Sequence, residues 1–127
     1  MSRLMVVDDD PGVRETLREL VQLCCQDYHP VAEASNGLEA VELALALDPD
    51  VILMDIRMPI LDGIQATRRI KQELKCRSVV ITFTSYAWPE LEREAREAGA
   101  AFHLRKPFAL EELQKTLAEA AKLWAES

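Results

Sequence analysis

A chain of 127 residues has room for one core, burying about two-thirds of its unfolded surface, and little space for a second module. Its 49% hydrophobic and 29% charged residues exclude a disordered chain or a disulfide scaffold. Fifteen basic against 22 acidic side chains, net −7, exclude a phosphate-backbone binder, which needs a basic face.

No apolar run approaches the ~20 residues of a membrane span. Met1-Ser2-Arg3 and the four apolar residues Leu4 to Val7, cut short by three aspartates, make no secretory leader. The expectation is one cytoplasmic domain over residues 1–127, with no membrane partner and no direct nucleic-acid partner. Cys24, Cys25 and Cys76 leave one thiol unpaired, and the adjacent pair is awkward to bridge. No zinc spacing occurs, so buried free thiols in a reducing compartment are expected.

The first strand is Leu4 to Val7, stopped by Asp8-Asp9-Asp10-Pro11-Gly12. Val13, Leu17, Leu20, Val21 and Cys24 then recur at helical spacing, which predicts a helix over about 11–26, with Asp10 at its cap and Pro11 in its first turn. A second strand, His29 to Ala34, is weakened by Pro30. After Ser35-Asn36-Gly37 a helix follows on Leu38, Val41, Ala44 and Leu45.

Val51 to Met54 is the third strand, with a loop from Asp55 to Gly63 and a helix over about 64–74 that turns Ile64, Ile70 and Leu74 inward. Val79 to Phe83 is the fourth strand, Pro89 to Ala98 a charged helix ended by Gly99, and Ala100 to Leu104 the fifth strand. Leu110, Leu113, Leu117, Ala121 and Trp124 mark the last helix. The apolar strands do not alternate, so both sheet faces must be covered. That implies an α/β fold with a doubly wound five-stranded parallel sheet, flavodoxin-like in its order 2-1-3-4-5, and five helices. In such folds the crevice lies beyond the carboxyl ends of the strands.

At those ends stand Asp8, Asp9 and Asp10, then Asp55, then Thr84 and Ser85, then Arg105, Lys106 and Pro107. Converging carboxylates repel one another unless a cation neutralises them. Oxygen-only ligands favour a hard ion such as Mg²⁺. Any one of these residues alone reads as a cap or a turn, and Asp10 is best read as a cap. Four strand ends with complementary groups point to a site.

The stretches LMVVDDD (Leu4 to Asp10), DVILMDIRMPILDG (Asp50 to Gly63), Thr84-Ser85 and RKPF (Arg105 to Phe108) together resemble the receiver domains of two-component response regulators. The resemblance implies that Asp55 is the nucleophile that takes a phosphoryl group from a phosphohistidine on a histidine kinase or phosphotransfer protein. It implies that Asp9, Asp55 and the Arg57 backbone carbonyl hold Mg²⁺, with Asp8 acting through water and Mn²⁺ able to substitute. Lys106 and Thr84 would contact phosphoryl oxygens, with Ser85 beside them, and Pro107 would follow a cis peptide bond. Thr84 would then draw its loop inward and switch a protein-binding face on the fourth helix, fifth strand and fifth helix.

Three positions before the lysine, where most of the family carries an aromatic switch residue, stands His103. A histidine there resembles the stand-alone receiver of the sporulation phosphorelay, while a half-exposed His on a terminal strand is the plainer reading. Arg57 and Tyr86, two residues after Asp55 and Thr84, suggest shielding of an aspartyl phosphate and slow self-dephosphorylation. Trp88 is read as packing, and Trp124 as core or an edge contact.

Two other readings fit less well. A dehalogenase-type phosphatase needs an acid two residues after its nucleophile, and Arg57 stands there. A flavin carrier needs a phosphate loop where three aspartates stand. The chain reads as a phosphoacceptor signalling domain, not a conventional enzyme. Nothing like a helix-turn-helix follows the last helix, which favours a stand-alone receiver or relay intermediate. The alternative is the receiver part of a larger DNA-binding regulator.

Overall fold

Short, uniformly apolar runs can bury only in a sheet covered on both faces, and they do so here. The computed structural model describes residues Met1–Ser127: β1 (Ser2–Val7), α1 (Pro11–Cys24), β2 (Tyr28–Ala34), α2 (Gly37–Leu47), β3 (Val51–Asp55), α3 (Gly63–Arg68), β4 (Val79–Thr84), α4 (Pro89–Ala98), β5 (Phe102–Arg105) and α5 (Leu110–Glu126). All strand pairs are parallel, in the order β2-β1-β3-β4-β5. Alternate strand residues feed separate cores. Met5, Val7, Ile52, Met54 and Val80 lie in one with α2, α3 and α4. Leu4, Val6, Val51, Leu53, Ile81 and Phe83 lie in the other with α1 and α5. No helix is long and apolar enough to cross a membrane.

Several details depart from the sequence expectations. Pro30 sits on an edge strand at a shift of register between Leu4 and Met5, where a missing N–H is tolerated. The core face of α2 is Gly37, Ala40 and Ala44, whereas Leu38 is partly exposed and Leu45 is 65% exposed. The small face lets α2 approach closely: a Cβ on Gly37 would sit 2.3 Å from the Leu61 carbonyl oxygen. After α3 the chain continues as a π-helical turn, Arg69–Glu73, and the Leu74 amide bonds the Arg69 carbonyl at 2.8 Å. That wider turn carries Leu74 out to solvent while Ile64 and Ile70 stay buried. All three cysteines are half-buried free thiols rather than core residues. Trp124 makes an edge contact, with the Arg77 guanidinium 4.3 Å from its ring.

Candidate functional site at the strand ends

Val7 of β1 pairs with Met54 of β3, so the residues that follow, Asp8 and Asp55, leave the sheet side by side. One carboxylate oxygen from each of Asp8, Asp9 and Asp55 lies within 4.8 Å of the other two. Asp8 is held from several directions. Its Oδ1 accepts from the Asp10 amide at 2.9 Å, and its backbone carbonyl accepts from Arg14 Nη1 at 2.6 Å. Asp10 in turn caps α1 by accepting from the Gly12 amide at 2.8 Å.

Lys106 arrives from the end of β5. Its Nζ stands 3.4 Å from Asp8 Oδ2 and 4.7 Å from the centre of the Phe83 ring, and its amide donates to the Thr84 carbonyl at 2.8 Å. The Lys106–Pro107 peptide bond is cis. The β3–α3 loop is tied down as well. The Gly63 amide bonds the Ile56 carbonyl at 2.8 Å, and a Cβ at Gly63 would lie 2.2 Å from the Asp55 carbonyl oxygen, so only glycine permits this approach.

Electrostatics follow from this crowding. Burial pushes the Asp55 carboxyl up to about 6, with a further rise from Asp8, while Lys106 and the Arg57 amide pull it down. Burial also raises Asp8, against the opposing pull of the Asp10 amide and Lys106. One ammonium is too little for three carboxylates in a cleft that leaves Asp55 only 9% exposed. An all-oxygen donor set with no thiol or imidazole is the chemistry of a hard divalent cation, and these residues fit Mg²⁺.

The neighbouring strand end is built differently. Thr84 is buried at the end of β4, and its Oγ1 accepts from the Tyr86 amide at 3.2 Å. His103 does not enter the acidic cluster. It is half-buried on β5, its Nδ1 lies 2.9 Å from Thr82 Oγ1, and burial lowers its pKa. With Tyr86, Trp88 and Arg105 it lines a cleft of ≈ 150 Å³.

Trp88 is 53% exposed rather than packed in the core, because its ring is one layer of a surface stack. The Tyr86 and Trp88 rings are 5.1 Å apart, and the Arg57 guanidinium lies 4.7 Å and 5.6 Å from their centres. Ser85 is exposed and faces a groove of ≈ 870 Å³ with Lys106, Phe108 and Val13. The sequence reading overlooked Arg14 and Thr82, and took Gly63 only as the end of a motif, without its close approach to the Asp55 carbonyl. Arg14 and Thr82 meet their partners only through the fold.

A description of the response regulator receiver domain matches residues 4–118. The chain is 41% identical over 106 residues to chemotaxis protein CheY of Halobacterium salinarum, covering 84% of this chain and 85% of that one. It is 38% identical over 123 residues to regulatory protein AtoC of Escherichia coli, covering 97% of this chain but 26% of that longer protein. Among solved structures, the receiver domain of a sensor histidine kinase from Pseudomonas aeruginosa superposes with a TM-score of 0.82 at 31% identity. The match covers 95% of this chain and 98% of that one, and that domain has a magnesium ion coordinated in its active-site cleft.

Proposed function

Because the chain belongs to the response regulator receiver domain family of two-component signalling, we propose that Asp55 accepts a phosphoryl group from a phosphohistidine. A carboxylate oxygen of Asp55 attacks phosphorus, the bond from phosphorus to the imidazole nitrogen breaks, and the donor imidazole leaves with the electron pair and takes up a proton. The observation that carries this reading is the position of Asp55. It ends β3, buried against Asp8 and Asp9, with Lys106 across the cleft.

Asp9, Asp55 and the Arg57 backbone carbonyl would hold Mg²⁺ or Mn²⁺, and Asp8 would act through water. The ion supplies positive charge against the carboxylates and the transferring oxygens. Lys106 leaves Asp8 for a phosphoryl oxygen. The Thr84 hydroxyl turns to donate to another, drawing in the loop that carries Ser85 and Tyr86. That new acceptor exists only after transfer, so the phosphoryl group biases the loop and with it a protein-binding face on α4, β5 and α5. The domain assists its own phosphorylation and dephosphorylation and signals through a partner protein.

Residues 1–127 are read as a single receiver domain that acts alone or passes phosphate onward, with His103 supporting the relay form. The match to only 26% of AtoC supports a second reading, the receiver part of a larger DNA-binding regulator. Whether the natural reading frame ends at Ser127 separates them. The phosphoacceptor reading is tested by incubating the chain with acetyl phosphate and Mg²⁺ and measuring intact mass. Wild type should gain one phosphoryl group and Asp55→Asn none. Equal gain by Asp55→Asn would overturn the assignment.

A further inference from the structure

Cys24 is the last residue of α1, and Cys25 is its C-cap, whose amide bonds the Val21 carbonyl at 2.8 Å. The two sulfurs lie 3.0 Å apart, both thiols are free and half-buried, and they edge a cleft of ≈ 300 Å³ shared with Asp27, Tyr28 and Gln114. Neither thiol takes part in the phosphoryl chemistry.

The separation selects among the things two thiols can do. Adjacent Cα atoms are about 3.8 Å apart across a trans peptide, below the roughly 4.4–6.8 Å of ordinary disulfides, so joining these sulfurs directly is strained. Two sulfurs at 3.0 Å can instead both reach one soft atom over bonds of ~2.3 Å, subtending an angle of ~80°. A linear two-coordinate ion needs its sulfurs on opposite sides and is excluded. Tetrahedral zinc needs further protein ligands, and no third His, Cys or carboxylate stands close enough to share one ion with the two sulfurs. A pyramidal trivalent centre, whose bonds stand near right angles, fits.

The geometry points to a chelating dithiol site for trivalent arsenic at Cys24 and Cys25, taken as arsenite or a monosubstituted arsenical. With phenylarsine oxide, two As–S bonds form as the As–O double bond and two S–H bonds break. Both thiol protons leave with the oxygen as water, and no oxidation state changes. Burial and the adjacent thiol push Cys25 up to about 12, so Cys25 meets its ligand as the thiol and offers little thiolate to ordinary oxidants. The site lies on the seam between α1 and α5. Gln114 Nε2 donates to the Cys24 carbonyl at 3.0 Å, and the Tyr28 hydroxyl donates to the Leu117 carbonyl at 2.6 Å. The folded seam holds the two sulfurs 3.0 Å apart, whereas the same adjacent residues in an unfolded chain sample many separations, so a ligand that closes the dithiol favours the folded state.

The test uses the full chain with phenylarsine oxide, read by intact mass and by thermal melting. The expected result is a one-to-one adduct that resists excess monothiol and is removed by 2,3-dimercaptopropanol, together with a rise in Tm. Cys24→Ser and Cys25→Ser should each lose that adduct, and Cys76→Ser should keep it. Survival of the adduct in either of the first two variants, its loss in Cys76→Ser, or a fall in wild-type Tm would overturn the site.

Discussion

The ends of β1 and β3 and the ends of β4 and β5 sit side by side on one sheet, yet they are built to opposite specifications. At the first pair the central carboxylate and the loop beside it are tied down. Asp8 is fixed through its carboxylate and its carbonyl, and Gly63 closes on the Asp55 backbone. At the second pair the Thr84 backbone is held by the Lys106 amide, but its hydroxyl has one weak partner at 3.2 Å, and Tyr86 and Trp88 stack in the open under Arg57. On the proposed function, the difference separates two tasks. Phosphoryl transfer needs fixed charges, since positioning and preorganised electrostatics supply most of its rate. Switching needs a segment whose two arrangements differ by little free energy.

Substitutions on the two sides should therefore fail differently. The largest effect belongs to the fixed charges, which Lys106 joins by reaching across from the end of β5 to Asp8. Lys106→Met removes the only ammonium beside Asp8, and phosphoryl gain from acetyl phosphate should slow by ~10²-fold, measured as the initial rate by intact mass. Thr84→Ala should leave that rate within about threefold but abolish the change in Trp88 fluorescence on phosphorylation, because only the loop contact is lost. A Thr84→Ala variant that lost phosphoryl gain and kept the fluorescence change would erase the distinction between the two sides.

A smaller effect appears in stability. The folded Asp55 carboxyl sits near 6 against 3.8 for a free aspartate, so it binds a proton more tightly folded than unfolded. Its contribution to stability is present in full below the unfolded value and is lost as pH rises through about 6. Metal-free wild type should thus melt at a lower temperature at pH 8 than at pH 5. Asp55→Asn should recover roughly 2 kcal/mol at pH 8, and saturating Mg²⁺ should raise wild type but not the variant. The smallest effect is on lifetime. Arg57→Ala opens the stack over the loop at a cost near 1 kcal/mol or less, and the aspartyl phosphate should hydrolyse several-fold faster in a decay assay. Wild-type decay within seconds would contradict any shielding role for that stack.

Legibility in the sequence follows the same division. The order of strands, the doubly wound sheet and the meeting of Asp8, Asp9, Asp55 and Lys106 could be read in advance, because strand ends in a parallel sheet share one edge. What escaped depends on distance across the fold. Leu45 and Leu74 looked inward by periodicity, yet small residues let α2 pack closely and a π turn rotates the end of the third helix. Trp88 looked like packing and is instead a surface layer over Arg57. The tie from Arg14 to the Asp8 carbonyl and the Thr82–His103 pair had no signature, since neither residue type advertises its partner.

The central claim is that the phosphoryl group is carried by Asp55 and not by either neighbouring carboxylate. Phosphorylating the chain with acetyl phosphate and Mg²⁺, reducing it with borohydride and sequencing the peptides by tandem mass spectrometry tests this directly. Borohydride converts an aspartyl phosphate to homoserine, and the account predicts homoserine at position 55 alone. Homoserine at position 8 or 9, or an unaltered Asp55 in a chain that had gained a phosphoryl group, would contradict it.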